Sequence, residues 1–212
     1  MNIAILIPEL GGGGAERVAQ ILGNYYVKHN NKVYYFLADS NVKQDYPVEG
    51  KIININIHSC LCNTSNDLQR ICKLFQESFK MRLLKKQFKI DVAISFMEEF
   101  NYLNVLSKGK EKVIVRICTI LSPRKDLKGL LYKKSVVRFF YSKADKIIVM
   151  SQYAINDMKY QYKIPLNKMV KIPNPVENLV EQEKEELWTY GDKVVVCMGR
   201  LEPIKQQERI IR

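Results

Sequence analysis

Asn2-Ile3-Ala4-Ile5-Leu6-Ile7-Pro8-Glu9-Leu10-Gly11-Gly12-Gly13-Gly14-Ala15-Glu16-Arg17-Val18 begins with an apolar run and passes through four consecutive glycines. Ile3 to Ile7 has the length of a strand and no polar alternation, which reads as a strand buried on both faces of a parallel sheet. Beyond the glycines, Val18, Ile21, Leu22 and Tyr25 recur at helical spacing, which predicts a helix laying that face on the sheet. The glycines therefore join a strand to a helix. An open α/β sheet places its ligand crevice at such a junction, where backbone amides and a helix N-terminus can meet a phosphate. Four glycines exceed what a tight turn needs, so they read as a surface held open for a ligand rather than a flexible turn.

Spacing separates this loop from two common phosphate motifs. A dinucleotide fingerprint begun at Gly12 or Gly11 requires a third glycine where Arg17 or Glu16 stands, and no Lys-Ser or Lys-Thr follows to make a P-loop. One feature keeps a dinucleotide in play: Asp39 follows the apolar run Val33 to Ala38, near the place of a ribose-binding carboxylate.

Outward from the loop, the pattern repeats. Lys32 to Ala38, Ile53 to Ile57, Asp91 to Met97, Val113 to Ile117 and Asp145 to Met150 read as strands, the second of them with one wet face. Leu68, Ile71, Cys72, Phe75 and Phe79 mark the core face of a helix that ends in the cations Lys80 to Lys89, which suit a helix C-terminus. Loops at Glu98 to Asn101 and Cys118 to Arg124 are expected on the glycine edge, which gathers Glu98, Asn101 and Arg116 around one cleft. Leu127 to Ser142 is a basic amphipathic helix, able to cover a core or to lie on an anionic membrane. Ser151 is placed to cap the helix Gln152 to Tyr160. Pro173-Asn174-Pro175 ends the regular pattern, and the Glu-rich stretch 177–193 reads as a linker between a domain at 1–176 and the incomplete start of a second at 194–212.

Composition narrows the chemistry. The 212 residues are 47% hydrophobic and 26% charged, as in a folded globular protein. No apolar run is long enough to cross a bilayer and no signal peptide is read at the start, so a cytoplasmic protein is expected. Five scattered cysteines and two histidines supply neither a zinc site nor a Ser-His-Asp triad, and no metal ligand is assigned. The net charge of +12 favours anionic partners: phosphorylated substrates, anionic lipid or nucleic acid.

Four motifs in order carry a resemblance: Gly12-Gly13-Gly14-Ala15-Glu16-Arg17-Val18, Asp145 to Ser151, Ile172-Pro173-Asn174-Pro175-Val176, and Gly199-Arg200-Leu201-Glu202-Pro203-Ile204-Lys205. Together they resemble retaining glycosyltransferases of family 4, with the GT-B fold. Ile94-Ser95-Phe96 with Asn101, and Val115-Arg116 with Ser122-Pro123-Arg124, are similar to a subset that builds bacterial surface polysaccharides.

The resemblance implies a Rossmann-like, doubly wound, mostly parallel α/β sheet forming the N-terminal, acceptor-binding half of a GT-B enzyme, followed by a truncated second domain. It implies sugar transfer with retention from a nucleotide-sugar to a saccharide or lipid-linked saccharide, without metal or other cofactor. Gly12, Gly13, Gly14, Arg200 and Lys205 would face the donor diphosphate, where cations and amides stabilise the leaving charge. The catalytic base is not assigned, because Cys118-Thr119-Ile120 stands where some members carry a histidine. The paired glutamates of the donor domain would lie beyond Arg212, so this chain alone is expected to be inactive. A peripheral place at the inner face of the cell membrane is expected, with no nucleic-acid partner, since the aromatics sit at core periodicity rather than among the basic runs. The alternatives from other classes are an NAD-dependent oxidoreductase using Asp39, and a non-catalytic basic module for anionic membrane or nucleic acid.

Overall fold

The computed structural model describes residues 1–38, 47–55, 67–122, 133–175, 197, 199 and 207–211. Among them, seven strands form one sheet: β1 (Asn2–Ile7), β2 (Lys32–Leu37), β3 (Lys51–Asn54), β4 (Val92–Phe96), β5 (Lys112–Arg116), β6 (Lys146–Val149) and β7 (Met169–Lys171). Their order is β3-β2-β1-β4-β5-β6-β7, and every neighbouring pair is parallel. Parallel neighbours require crossovers, which the helices α1 (Gly14–Lys28), α2 (Asp67–Gln87), α3 (Glu98–Leu106), α4 (Lys134–Lys143) and α5 (Gln152–Tyr162) help to supply. The chain divides into two compact units, Met1–Pro175 and Val176–Arg212. The sheet lies wholly in the first; the second contains the short helix α6 (Glu208–Ile211).

Alternate residues of β1 feed two cores. Ile3, Ile5 and Ile7 pack with Val18 and Ala19 of α1, whereas Ala4 and Leu6 share a cluster with side chains from α2, α3, α4 and α5. The sheet is thus wound on both sides. At its N-terminal edge, Asp91 accepts a hydrogen bond from the Asn2 amide at 2.7 Å, and Asp145 one from the Val113 amide at 2.7 Å. Asp145 also pairs with Lys108 at 2.7 Å.

Several elements differ from the expectations. The inward face of α1 carries Glu16, Val18, Ala19, Gln20 and Gly23, while Tyr25 is exposed beside His29. Gly23 explains the rotation: a Cβ there would lie 2.6 Å from Cζ of Tyr35 and 3.0 Å from Cδ1 of Ile5, so its absence lets the helix settle onto the sheet. Helix α2 forms as expected, but Cys72, Phe75 and Phe79 face outward and Leu74, Ser78, Met81 and Lys85 face inward. Lys85 is drawn in by its acceptors on the neighbouring helix and turn, described below. The stretch 98–101 is the first turn of α3 rather than a loop. Strand β3 starts at Lys51, two residues before the expected Ile53, because it pairs from Tyr34 onward at the sheet edge. Helix α5 continues to Tyr162, and Ser151 caps it, its hydroxyl accepting from the Ala154 amide at 3.1 Å. The expected linker 177–193, the start of the second domain at 194–212 apart from Cys197, Gly199 and 207–211, and the stretch 127–132 of the basic helix lie outside the described residues.

Candidate functional site

All seven strands end at one edge of the sheet, so the segments that follow them converge there. Strand β1 sits between β2 and β4, and the helices after β1 and β4 lie on opposite faces. This is the topological switch point, where an open sheet leaves a crevice beyond its strand ends. The glycine loop and the start of α3 form its two sides.

On the β1 side, Gly13 is the N-cap of α1 in an extended conformation, and its carbonyl accepts from the Arg17 amide at 3.0 Å. Gly12 and Gly14 are exposed, and a Cβ on Gly14 would meet nothing within 4 Å. Gly13 differs. The buried carboxylate of Glu16, in the first turn of α1, occupies the space a Cβ would take, its Cδ 2.7 Å from that point. A carboxylate near a helix N-terminus is favoured by the dipole, so the helix already holds an acid of its own there.

On the β4 side, Met97 turns the chain into α3 with φ 68° and ψ 151°, a region that L side chains rarely adopt. Asn101 follows one turn later, wholly buried, and joins three elements. It accepts from Ser95 Oγ at 2.8 Å, and its Nδ2 donates to the Arg116 carbonyl and to Tyr141 Oη, each at 3.0 Å. One turn further, Asn104 Nδ2 donates to the Ala93 carbonyl and to Ser95 Oγ, each at 3.1 Å. Lys85 Nζ completes the line with bonds to Asn104 Oδ1 at 2.7 Å, the Asn104 carbonyl at 3.0 Å and Glu111 Oε1 at 2.9 Å. Burial pushes the Lys85 ammonium down to about 8 despite the attraction of Glu111. This polar line runs beneath α3 from the N-terminal edge to the candidate site.

Arg116 is 4% exposed. Its guanidinium lies 5.4 Å over the Phe96 ring, donates to Asn174 Oδ1, and donates to Cys118 Sγ at 3.4 Å. It therefore clasps the ends of β4 and β5 to the Pro173-Asn174-Pro175 exit from β7. Burial raises the Cys118 thiol, against the opposing pull of Arg116 and the Met97 amide, so the sulfur stays protonated. Burial likewise raises the Tyr141 hydroxyl well above its usual value, leaving it a hydrogen-bonding group rather than a base.

The structure thus brings Asn101 and Arg116 into contact and sets Glu98 at the same strand end, one residue after Met97. Asn101 lies behind the edge rather than on its open surface. Arg200, Lys205 and Asp39 lie outside the described residues. Sequence reading assigned no role to Glu16, Met97, Asn104, Tyr141 or Asn174. The spacing of Asn101 and Asn104, one helical turn apart, was the available signal, visible only once 98–106 is a helix. Among the described residues, no three His, Cys, Asp or Glu side chains gather to hold a metal ion.

The sheet defines a Rossmann-like α/β protein with its topological switch point between β1 and β4. Residues 12–178 match the model of Glycosyltransferase Family 4, and the chain belongs to that family. No curated protein sequence matches it. Its fold is that of half a GT-B glycosyltransferase. It is similar to the lipopolysaccharide outer core galactosyltransferase WaaB in its apo form (TM-score 0.62, 14% identity, 85% of this chain and 47% of that one). A glycosyltransferase from Rickettsia africae ESF-5 gives TM-score 0.55 at 16% identity over 81% of this chain and 42% of that one. Anabaena Alr3699/HepE in complex with UDP-glucose gives TM-score 0.56 at 15% identity over 84% and 44%. The chain spans less than half the length of each of these three structures.

Proposed function

We propose that this chain forms the acceptor-binding half of a retaining glycosyltransferase. The enzyme moves a sugar from a nucleotide-sugar to a saccharide carried on a lipid, in surface-polysaccharide synthesis at the inner face of the cell membrane. The observation that carries the reading is the exposed glycine backbone at the β1/β4 switch point of a sheet belonging to Glycosyltransferase Family 4. A neighbour of the same fold, solved with UDP-glucose, supports a nucleotide-sugar donor.

In this mechanism the acceptor hydroxyl attacks the anomeric carbon on the face from which the nucleoside diphosphate departs. The bond from that carbon to the diphosphate breaks, a donor phosphate oxygen takes the acceptor proton, and no metal is required. Arg200 and Lys205 supply cations for the charge that grows on the leaving diphosphate, and the exposed glycine loop supplies backbone donors for it. Glu16 opposes an anion at Gly13 and so keeps the diphosphate toward Gly12 and Gly14. Glu98 borders the acceptor, and Arg116, held by Asn101 and Asn174, fixes the shape of that border.

The test is a nucleotide-sugar panel on the complete gene product, with the product anomer read by NMR. The expected result is transfer with retained configuration, and a loss of about 10²-fold or more in kcat for Arg200→Ala or Lys205→Ala. Inverted product, or no turnover of any nucleotide-sugar, overturns the reading.

A further inference from the structure

Helix α2 ends in a cluster of cations that the candidate site does not use. Arg82 and Lys86, exposed and one turn apart, line a cavity of about 430 Å³ with Lys89 in the turn after the helix and Lys110 on the facing turn between α3 and β5. Asp91 leads into β4 and Glu111 into β5, so the cavity lies at the N-terminal edge of the sheet, opposite the glycine loop.

Cations gather at a helix C-terminus to meet its free carbonyls, but here those carbonyls have partners. The Leu84, Lys85 and Lys86 carbonyls accept the amides of Phe88, Ile90 and Lys89 at 2.9, 2.9 and 3.1 Å, and Asn2 Nδ2 donates to the Phe88 and Lys89 carbonyls, each at 3.0 Å. The helix dipole favours Arg82, Lys86 and Lys89 but gives no reason for Lys110 on the opposite wall. The acids of the lining are engaged too. Glu111 accepts from Lys85 Nζ and, through its other oxygen, from the Gly109 amide at 2.9 Å, while Asp91 accepts from the Asn2 amide. Among the described residues, no carboxylate pairs with Arg82, Lys86, Lys89 or Lys110. The positive field reaches the cavity wall itself: after burial, the charges of Lys108 and Arg82 hold the Lys85 ammonium down, against the pull of Glu111.

We propose that this cavity binds a soluble polyphosphate anion, with Arg82 and Lys86 holding one phosphate from α2 and Lys110 a second from the facing turn. Cations on two walls suit an anion with two charged ends, and the Arg82 fork matches a pair of phosphate oxygens. Among the described residues, no aromatic side chain lines the cavity to stack a base, so the phosphates are recognised rather than a nucleoside. Only the folded chain brings the two walls together, so the anion stabilises the fold as it binds.

Arg200 and Lys205 are a second place where a diphosphate could bind, and the test separates the two. The 212-residue chain is titrated calorimetrically with pyrophosphate and with orthophosphate at ~0.15 M salt. Three variants run alongside: Lys86→Ala/Lys110→Ala in the cavity, Arg200→Ala/Lys205→Ala, and Lys133→Ala/Lys171→Ala, which removes two exposed lysines elsewhere. Lys86 and Lys110 are exposed, and retained thermal midpoints without ligand verify the fold. Pyrophosphate is expected to bind and to raise the parent's midpoint, with orthophosphate at least ~10-fold weaker because it spans one wall only. The cavity variant should lose ~10-fold or more in pyrophosphate affinity, while the other two keep this site. No binding to the parent, undiminished binding to the cavity variant, or an equal loss in Lys133→Ala/Lys171→Ala overturns the proposal. Binding abolished by Arg200→Ala/Lys205→Ala alone also overturns it, and assigns the anion to the donor cations of the proposed function.

Discussion

Asn101 makes three buried hydrogen bonds: it accepts one from Ser95 and donates two, to the Arg116 carbonyl and Tyr141 Oη. Asn101→Ala leaves three buried groups short of a partner, and the expected loss is about 2–3 kcal/mol in urea unfolding. Tyr141→Phe removes one contact and leaves Asn101 its other two, so about 1 kcal/mol is expected there. Tyr35 presents the opposite case. Its hydroxyl is buried without a partner among the described residues, and burial with the nearby Glu49 raises its ionisation well above the usual value. Tyr35→Phe should therefore stabilise the fold by about 1 kcal/mol, read as a higher midpoint at unchanged denaturant slope.

At the scale of elements, α1 lies against the sheet because Gly23 leaves room for the Tyr35 ring. Gly23→Ala inserts a methyl group into a contact already at van der Waals limits, with an expected cost of about 1–3 kcal/mol. Adding Tyr35→Phe removes the atom nearest that methyl, so a double-mutant cycle should show at least ~0.5 kcal/mol of favourable coupling. Additive effects would mean that α1 shifts as a body instead. Helix α2 shows why its outward face was misread. Its apolar residues satisfy helical periodicity on more than one side, and periodicity alone does not say which side meets α3. The inward choice goes to the face carrying Lys85, because Asn104 and Glu111 together accept from its three donors.

At the scale of the molecule, Lys85 links stability to pH. Its folded value of about 8 lies below the ordinary 10.5, so between those values the unfolded chain binds the extra proton and the folded state gains stability as pH rises. Below about pH 8 both states carry the charge and the contribution is flat. Unfolding followed from pH 7.5 to 10 should show a rise in the parent relative to Lys85→Met, with the parent's gain beginning near pH 8. Parallel curves for the two proteins would show that Glu111 and Asn104 hold the charge without penalty.

The alternation of apolar runs with helical stretches, the four glycines between the first strand and helix, and the Ser151 cap were legible as sequence, because each is a local property of a few residues. They gave the parallel Rossmann-like sheet and its switch-point loop, and the ordered motifs pointed to the family. The α3 helix was missed because Glu98-Glu99-Phe100-Asn101 follows a strand without a recognisable cap: Met97 makes the turn in a strained conformation that no propensity predicts. The polar line from Glu111 to Arg116, the clasp on Asn174 and the outward turn of Phe75 and Phe79 joined or exposed residues up to 58 positions apart. Those depend on which faces meet after the strands have paired, so sequence determined the elements and their order, and tertiary packing decided which side chains became core, site or surface.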